Sequence, residues 1–333
     1  MPSELNDIEK AKELALIYQK LKKEISKIIF GQDEIIEYLI IALFSNGHSL
    51  FVGVPGLAKT LLISTLAKTV DLDFKRIQFT PDLMPSDISG FELLQYNDET
   101  EKREFKFIKG PVFTNILLAD EINRTPPKTQ SALLQAMQER EVTIAGVNYK
   151  LDYPFLVFAT QNPIEHEGTY LLPEAQQDRF MFNIQVNYPS LNDEVKIVQE
   201  TTVGKKTDIK TILTPEDLVK YQNLITKVPV SEVVIKHAVN IVHLTRPETT
   251  KLDCVKDFVK WGAGPRASQN LVIAAKTKAL LEGRHHVSVD DINYLAYSIL
   301  NHRIIVNYRA KAEKIDANYI IDKILDYMRK NDE

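Results

Sequence analysis

Gly53-Val54-Pro55-Gly56-Leu57-Ala58-Lys59-Thr60 stands between an apolar run, Ser49 to Val52, and a helical pattern that begins near Leu61. Strand, glycine-bearing loop and helix, in that order, make a phosphate-binding loop. Backbone N–H groups curl around phosphates at a helix N-terminus, the lysine reaches the β and γ oxygens, and the hydroxyl after it ligates Mg²⁺. The general pattern G-x-x-x-x-G-K-[ST] has glycine before the lysine, where this chain has Ala58. Alanine fits that place with a negative φ and is a strained outlier with a positive one. A surface turn that merely contains Gly, Pro and Lys is the alternative reading of the stretch alone.

Working outward, the run Thr114 to Ala119 ends in Asp120-Glu121. This is the pattern of a strand buried on both faces that delivers carboxylates to the C-terminal edge of a parallel sheet, where ligands bind. Asp120 could hold Mg²⁺ through water, and Glu121 could polarise the water that attacks a γ-phosphate. A strand followed by a helix with acids in its first turn explains the same two residues equally well. Pro154 to Asn162 reads as a further buried strand, aiming Asn162 at the same edge; as a residue before Pro163, it is also an ordinary turn former. Asp178-Arg179, after a short helical stretch from Pro173, reads as a surface ion pair.

Between these elements, Phe74 to Phe79 is a candidate strand with Ile77 and Phe79 on one face and Gln78 on the other. Phe91–Tyr96 and Phe105–Ile108 flank a polar turn at Asn97–Thr100, and Val142–Tyr149 turns near Ala145-Gly146, so two hairpins are expected. Upstream, Leu14, Ile17, Leu21, Ile25 and Ile28 recur at helical spacing. A second helix starts at Asp33, with Gly47 placed to end it. Gly31-Gln32 between the two reads as a helix-helix turn.

Tyr188-Pro189 marks the expected boundary between an α/β domain, 1–189, and a helical domain, 190–333. From Leu191 onward only helical patterns occur, with caps at Thr214 and Ser288. Gly262-Ala-Gly264-Pro265-Arg266 is a turn entering a helix, and an arginine in a first turn opposes the helix dipole unless it meets an anion. With 333 residues and 44% apolar composition, the chain is long enough for two cores. Its net charge of −4 offers no overall basic field for nucleic acid. The single cysteine, Cys254, leaves no intramolecular disulfide and no zinc cluster. With no basic-then-apolar leader at the N-terminus and no apolar run able to span a bilayer, a cytoplasmic location without direct membrane insertion is expected.

Taken in order, these stretches resemble the MoxR group of AAA+ ATPases over most of the chain. The resemblance rests on residues 53–60, on Leu117-Leu-Ala-Asp-Glu-Ile-Asn-Arg124, on Phe158-Ala-Thr-Gln-Asn-Pro163 and on Leu172-Pro-Glu-Ala-Gln-Gln-Asp-Arg-Phe180. It implies a P-loop NTPase α/β fold, a parallel sheet with β-hairpin inserts, followed by an all-α lid, and ATP with Mg²⁺ as cofactors. Ala58 is then the group's own variant. Gly31, Gln32, Gly53, Val54, Pro55, Gly56, Leu57, Ala58, Lys59, Thr60, Leu61 and Arg266 would surround the nucleotide, with Ile29 to Gln32 by the adenine. Thr60 and Asp120 would serve the metal, Glu121 would be the catalytic base, and Asn162 the sensor-1 residue positioning the attacking water. Arg179 would be an arginine finger acting on a neighbouring subunit's nucleotide, and Arg266 the sensor-2 residue. Gln78 is similar in place to a polar residue that can hold the catalytic glutamate inactive. A homo-hexamer that remodels protein clients in chaperone fashion, with von Willebrand A domain proteins among its partners, is implied as well.

Two other functions compete. A nucleic-acid-activated ATPase would use Lys102, Arg103, Lys106 and Lys109 beside the first hairpin, but these alternate with Glu99, Glu101 and Glu104 as a solvated mixed-charge face does. A nucleotide-gated scaffold would bind without measurable hydrolysis.

Overall fold

In the computed structural model, residues 2–97, 102–164, 168–202 and 207–331 are described. Two helices, α1 (Pro2–Ile25) and α2 (Asp33–Ser45), precede strand β1 (Ser49–Val52), which leads through the glycine loop into α3 (Lys59–Thr69). Strand β2 (Phe74–Gln78) and a short helix α4 (Pro85–Ser89) come next, then the hairpin β3 (Gly90–Asn97) and β4 (Lys102–Lys109). Strand β5 (Ile116–Asp120), a 3-10 turn (Ile122–Arg124) and α5 (Pro127–Glu139) lead to a second hairpin, β6 (Glu141–Ile144) and β7 (Val147–Lys150). Strand β8 (Leu156–Gln161), α6 (Glu174–Gln177) and β9 (Phe182–Gln185) complete the α/β half.

The five strands β2-β5-β8-β1-β9 form one parallel sheet, with β1 between β8 and β9. Successive side chains on a strand point to opposite faces, and the core divides accordingly. Ile116, Leu118, Leu156 and Phe158 join one apolar cluster, while Leu117, Ala119, Val157 and Ala159 join the other. β1, β5 and β8 are buried until their last residues, Val52, Asp120 and Gln161, which are part-exposed. The buried run thus forces its polar ending to the C-terminal edge, where backbone and carboxylates can meet a ligand.

Helix α2 is apolar nearly all round, and such a helix must be covered on every side. It packs against α1, β9 and two later helices, Pro215–Thr226 and Pro265–Leu281. The cluster on this side of the sheet therefore runs without a break from Leu14 and Ile40 to Leu271 and Ile299. The left-handed residue ending α2 is Asn46 (φ 51°), not Gly47, whose N–H instead closes the turn on the Ala42 carbonyl. α1 begins well before the first of the periodic apolar residues, Leu14, at Pro2, a residue whose missing N–H costs a first helical position nothing. The second hairpin turns at Ala145 and Gly146 (φ 48° and 84°), the two-residue geometry that matches strand twist. Of the turn expected in the first hairpin, Asp98 to Thr100 lies outside the described residues. Phe107 of that hairpin stacks on Tyr149 of the second at 4.2 Å, tying the two together.

The helical half comprises α7 (Leu191–Thr201), α8 (Pro215–Thr226), α9 (Glu232–Leu244), α10 (Asp253–Phe258), α11 (Pro265–Leu281), α12 (Val289–Leu300), α13 (Tyr308–Ala312) and α14 (Ala317–Asn331). Thr214 accepts from the Asp217 N–H, and Ser288 and Asp291 form a reciprocal capping box, as their sequence suggests. The expectation of helices alone after Leu191 fails at one place. β10 (Val259–Trp261) pairs antiparallel with β11 (Ile305–Val306), strands too short to carry a period of two.

His48 joins the sheet to α5. Its Nδ1 accepts from the Val157 N–H at 2.9 Å, so its Nε2–H donates to the Met137 carbonyl at 3.2 Å, which fixes the neutral tautomer. Burial, with Arg140 adding to it, pulls its pKa from 6.5 down to about 4. Burial beside Arg303 likewise holds His302 well below its ordinary range. A lowered folded-state pKa means that the unfolded chain takes up the proton first. Stability is therefore fully present above pH 6.5 and declines as pH falls toward 4, with a slope of up to about 1.4 kcal/mol per pH unit for each histidine. Urea melts at pH 7.5, 6 and 5 are expected to trace this decline, and His48→Asn to flatten it; an unchanged slope would remove His48 from the account.

Candidate functional site

The loop after β1 curls through two left-handed residues, Gly56 (φ 85°) and Ala58 (φ 54°). Ala58 is thus the strained outlier, a conformation costing an L-residue about 1–2 kcal/mol; it is exposed, so its methyl group meets no wall. Gly53 is required for space, because a Cβ there would lie 2.5 Å from the Val186 carbonyl oxygen. Lys59 Nζ folds back to the carbonyls of Gly53 and Val54 at 2.5 and 3.2 Å. Partial burial pulls the Lys59 pKa down, opposed by the carboxylates of Asp120 and Glu121.

A cavity of about 420 Å³ opens beside this loop, lined by Pro55 to Leu61 together with Arg76, Gln78, Asp120, Glu121, Thr160 and Asn162. The acids at the end of β5 and the polar residues at the end of β8 therefore converge on the lysine. Asp120 Oδ1 accepts from the Thr160 hydroxyl at 2.5 Å, and its Oδ2 accepts from Arg76 at 2.6 Å. Glu121 takes a left-handed backbone (φ 55°), steadied by its N–H donating to the Thr160 hydroxyl at 2.8 Å. Its Oε2 accepts from Gln78 at 2.5 Å and from Arg124 at 2.8 Å. Asn162 acts as a turn residue and lines the cavity too: Oδ1 accepts from the Ile164 N–H at 3.2 Å.

Gln32 sits against the same loop, and Gly31 before it against Asp193. Gln32 Nε2 donates to the Leu57 carbonyl at 3.2 Å, and Gly31 has φ 70° with Asp193 so near that a Cβ would clash. Gln32 Oε1 is buried and has no hydrogen-bond partner. Such an orphaned acceptor beside a phosphate-type loop is matched by a donor such as an exocyclic amine of a base. Among the described residues no three His, Cys, Asp or Glu side chains converge on one point. A divalent ion at Thr60 and Asp120 would thus draw most of its shell from phosphate oxygens and water, which is the habit of Mg²⁺.

The two arginines lie elsewhere. Arg266 is not in the cavity around Lys59; the anion it meets is Asp178, whose Oδ2 accepts from Arg266 at 2.8 Å. Asp178 Oδ1 accepts from the buried Arg303 at 2.7 Å, and Arg303 also donates to the carbonyls of Asp178, Phe180 and Met181. With both oxygens occupied, Asp178 does not form the expected pair with Arg179. Among the described residues the Arg179 side chain has no hydrogen-bond or ion-pair partner, although its backbone N–H donates to the Gln176 carbonyl. Sequence reasoning missed Arg76, Arg124, Thr160 and Arg303. Only Thr160 carried a usable signal, a hydroxyl at the polar end of an apolar strand.

Residues 48–182 match the family model described as ATPase family associated with various cellular activities (AAA), and residues 253–324 match an AAA lid domain. The chain is 45% identical over 303 residues to Chaperone MoxR1 of Mycobacterium tuberculosis, covering 91% of this chain and 79% of that one. It is 43% identical to YeaC of Bacillus subtilis over 92% of each chain, and 28% identical to protein MoxR of Methylorubrum extorquens over 86% of each. A crystal structure from Cytophaga hutchinsonii superposes with a TM-score of 0.89 at 45% identity, covering 97% of both chains.

Proposed function

Because the chain belongs to the MoxR family of AAA+ ATPases, we propose that it hydrolyses ATP in a Mg²⁺-dependent manner and couples turnover to remodelling of protein clients. The observation that carries the reading is the meeting of Lys59, Asp120, Glu121 and Asn162 in one cavity from three separate strand ends. Lys59 would hold the β and γ phosphates, Thr60 and Asp120 the metal, and Glu121 the attacking water, which the Asn162 side chain would orient. Bound Mg²⁺ would neutralise charge on the phosphates. Gln32 supplies an acceptor on the base side.

Arg179 is proposed to serve the nucleotide of a neighbouring subunit in a ring, taken to be a hexamer, and Arg266 to be the sensor-2 residue. What supports this is that neither lines the Lys59 cavity, while Arg266 is held by Asp178, the residue beside Arg179. Protein clients are favoured over nucleic acid by the first hairpin, which exposes Leu94, Tyr96 and Phe105, the last at 70%, on a chain of net charge −4. The relative named as a chaperone points the same way. Among the described residues no helix is long and apolar enough to cross a membrane.

ATP turnover measured with and without duplex DNA between 50 and 200 mM salt tests the choice. The rate is expected to change by less than twofold on adding DNA. Activation that fades steeply with salt, roughly 10³-fold over that range for a protein making many phosphate contacts, would favour the nucleic-acid reading instead. Binding without phosphate release would favour the scaffold.

A further inference from the structure

Arg76 belongs to none of the motifs above, yet it stands at the centre of the site's hydrogen bonding. On β2 it lies two residues before Gln78, so both project from one face of the strand and both line the cavity. Arg76 Nε and Nη2 both donate to Asp120 Oδ2, at 3.1 and 2.6 Å. Nη2 donates again to Gln78 Oε1 at 2.9 Å. That bond orients the Gln78 amide, turning its Nε2 onto Glu121 Oε2 at 2.5 Å. One unbroken chain thus runs from Asp120 through Arg76 and Gln78 to Glu121.

We propose that Arg76 is a positioning residue that couples a divalent cation at Asp120 to release of Glu121, holding the glutamate bound to Gln78 until the cation arrives. The proposal rests on the reading of Asp120 as the metal carboxylate. Asp120 cannot offer one oxygen to a dication and to a guanidinium without bringing two positive charges together, and its other oxygen is taken by Thr160. With the cation in place Arg76 withdraws from Oδ2. Gln78 then loses the donor that fixes its amide, and Glu121 keeps one fewer competitor for water. Nearly half of the Arg76 side chain is exposed, at 47%, so it has room to swing.

Linkage is reciprocal: if metal binding loosens the Gln78–Glu121 bond, weakening the Gln78 end must favour the metal. The experiment is Mn²⁺ binding by the full-length protein in its ADP complex, followed by electron paramagnetic resonance. Arg76→Met is expected to tighten Mn²⁺ about two- to fivefold, the worth of an exposed ion pair. Arg76→Lys, which retains the charge, is expected to stay closer to wild type than Arg76→Met. Gln78→Leu is expected to tighten Mn²⁺ by about twofold in the wild-type background and to have no effect beside Arg76→Met. Unchanged or weaker Mn²⁺ binding in Arg76→Met, with ADP binding intact, would overturn the proposal; so would a Gln78→Leu effect that persists without Arg76. Asp120→Asn separates the two levels. If it leaves Mn²⁺ affinity unaltered, the assignment of Asp120 to the metal is wrong, and the coupling falls with it.

Discussion

Glu121→Gln is expected to retain ATP and to lose turnover by about 10² to 10⁴-fold, the range for removing a positioned general base. The substitution keeps the shape of the side chain, and the left-handed backbone at Glu121 is set by the Thr160 hydroxyl rather than by the carboxylate. The loop that would hold the phosphates, including Lys59, makes no contact that depends on the Glu121 charge, apart from the modest upward pull of that charge on the lysine. What disappears is the anion able to polarise water. Lys59→Ala is the informative contrast, because it takes away the ammonium group beside the Gly53 and Val54 carbonyls and should lose nucleotide binding itself. Fluorescent-nucleotide titration and single-turnover phosphate release separate the two effects. Equal rates in wild type and Glu121→Gln would strip Glu121 of its role. The same variant, holding ATP, is also the one with which to capture a client.

What could be read from the chain and what could not divides along a physical line. β5 and β8 are apolar runs that end in polar residues, and burial of the run dictates where the ending goes; Asp120, Glu121 and Asn162 were therefore legible in the sequence. The second hairpin was legible because Ala145-Gly146 meets the local demand of a two-residue turn. Arg76 was not, since alternation on β2 makes it and Gln78 an ordinary solvent-facing pair, and only the register with β5 brings them to the two acids. Arg303 was hidden for a related reason: its partner Asp178 is 125 residues away, and no local rule marks an arginine near a helix end as a buried anchor. Ala58 was ambiguous in sequence because a positive φ is a property of the folded loop.

Arg179→Ala is expected to leave ATP binding unaltered and to lower turnover by 10³ or more, toward the 10³- to 10⁵-fold worth of an arginine supplied in trans to a GTPase. The argument starts from Asp178. A carboxylate adjoining an arginine ordinarily pairs with it, at little gain on a surface. Here Arg303 holds one oxygen of Asp178 and Arg266 the other, so the nearest acid is fully engaged and the Arg179 guanidinium keeps no anion of its own chain among the described residues. Arg303, fixed to the carbonyls on either side of Arg179, also pins the backbone from which that guanidinium projects. A pre-positioned cation without a partner is suited to charge that develops on another subunit's phosphates, where no reorganisation is then required. Mixing Arg179→Ala with Lys59→Ala tests this directly. Each protein alone should be inactive, and together they should recover activity, because an intact Lys59 on one subunit can face an intact Arg179 on the next. No recovery at any ratio, in mixtures shown by light scattering to co-assemble, would place the action of Arg179 within its own chain or outside catalysis altogether.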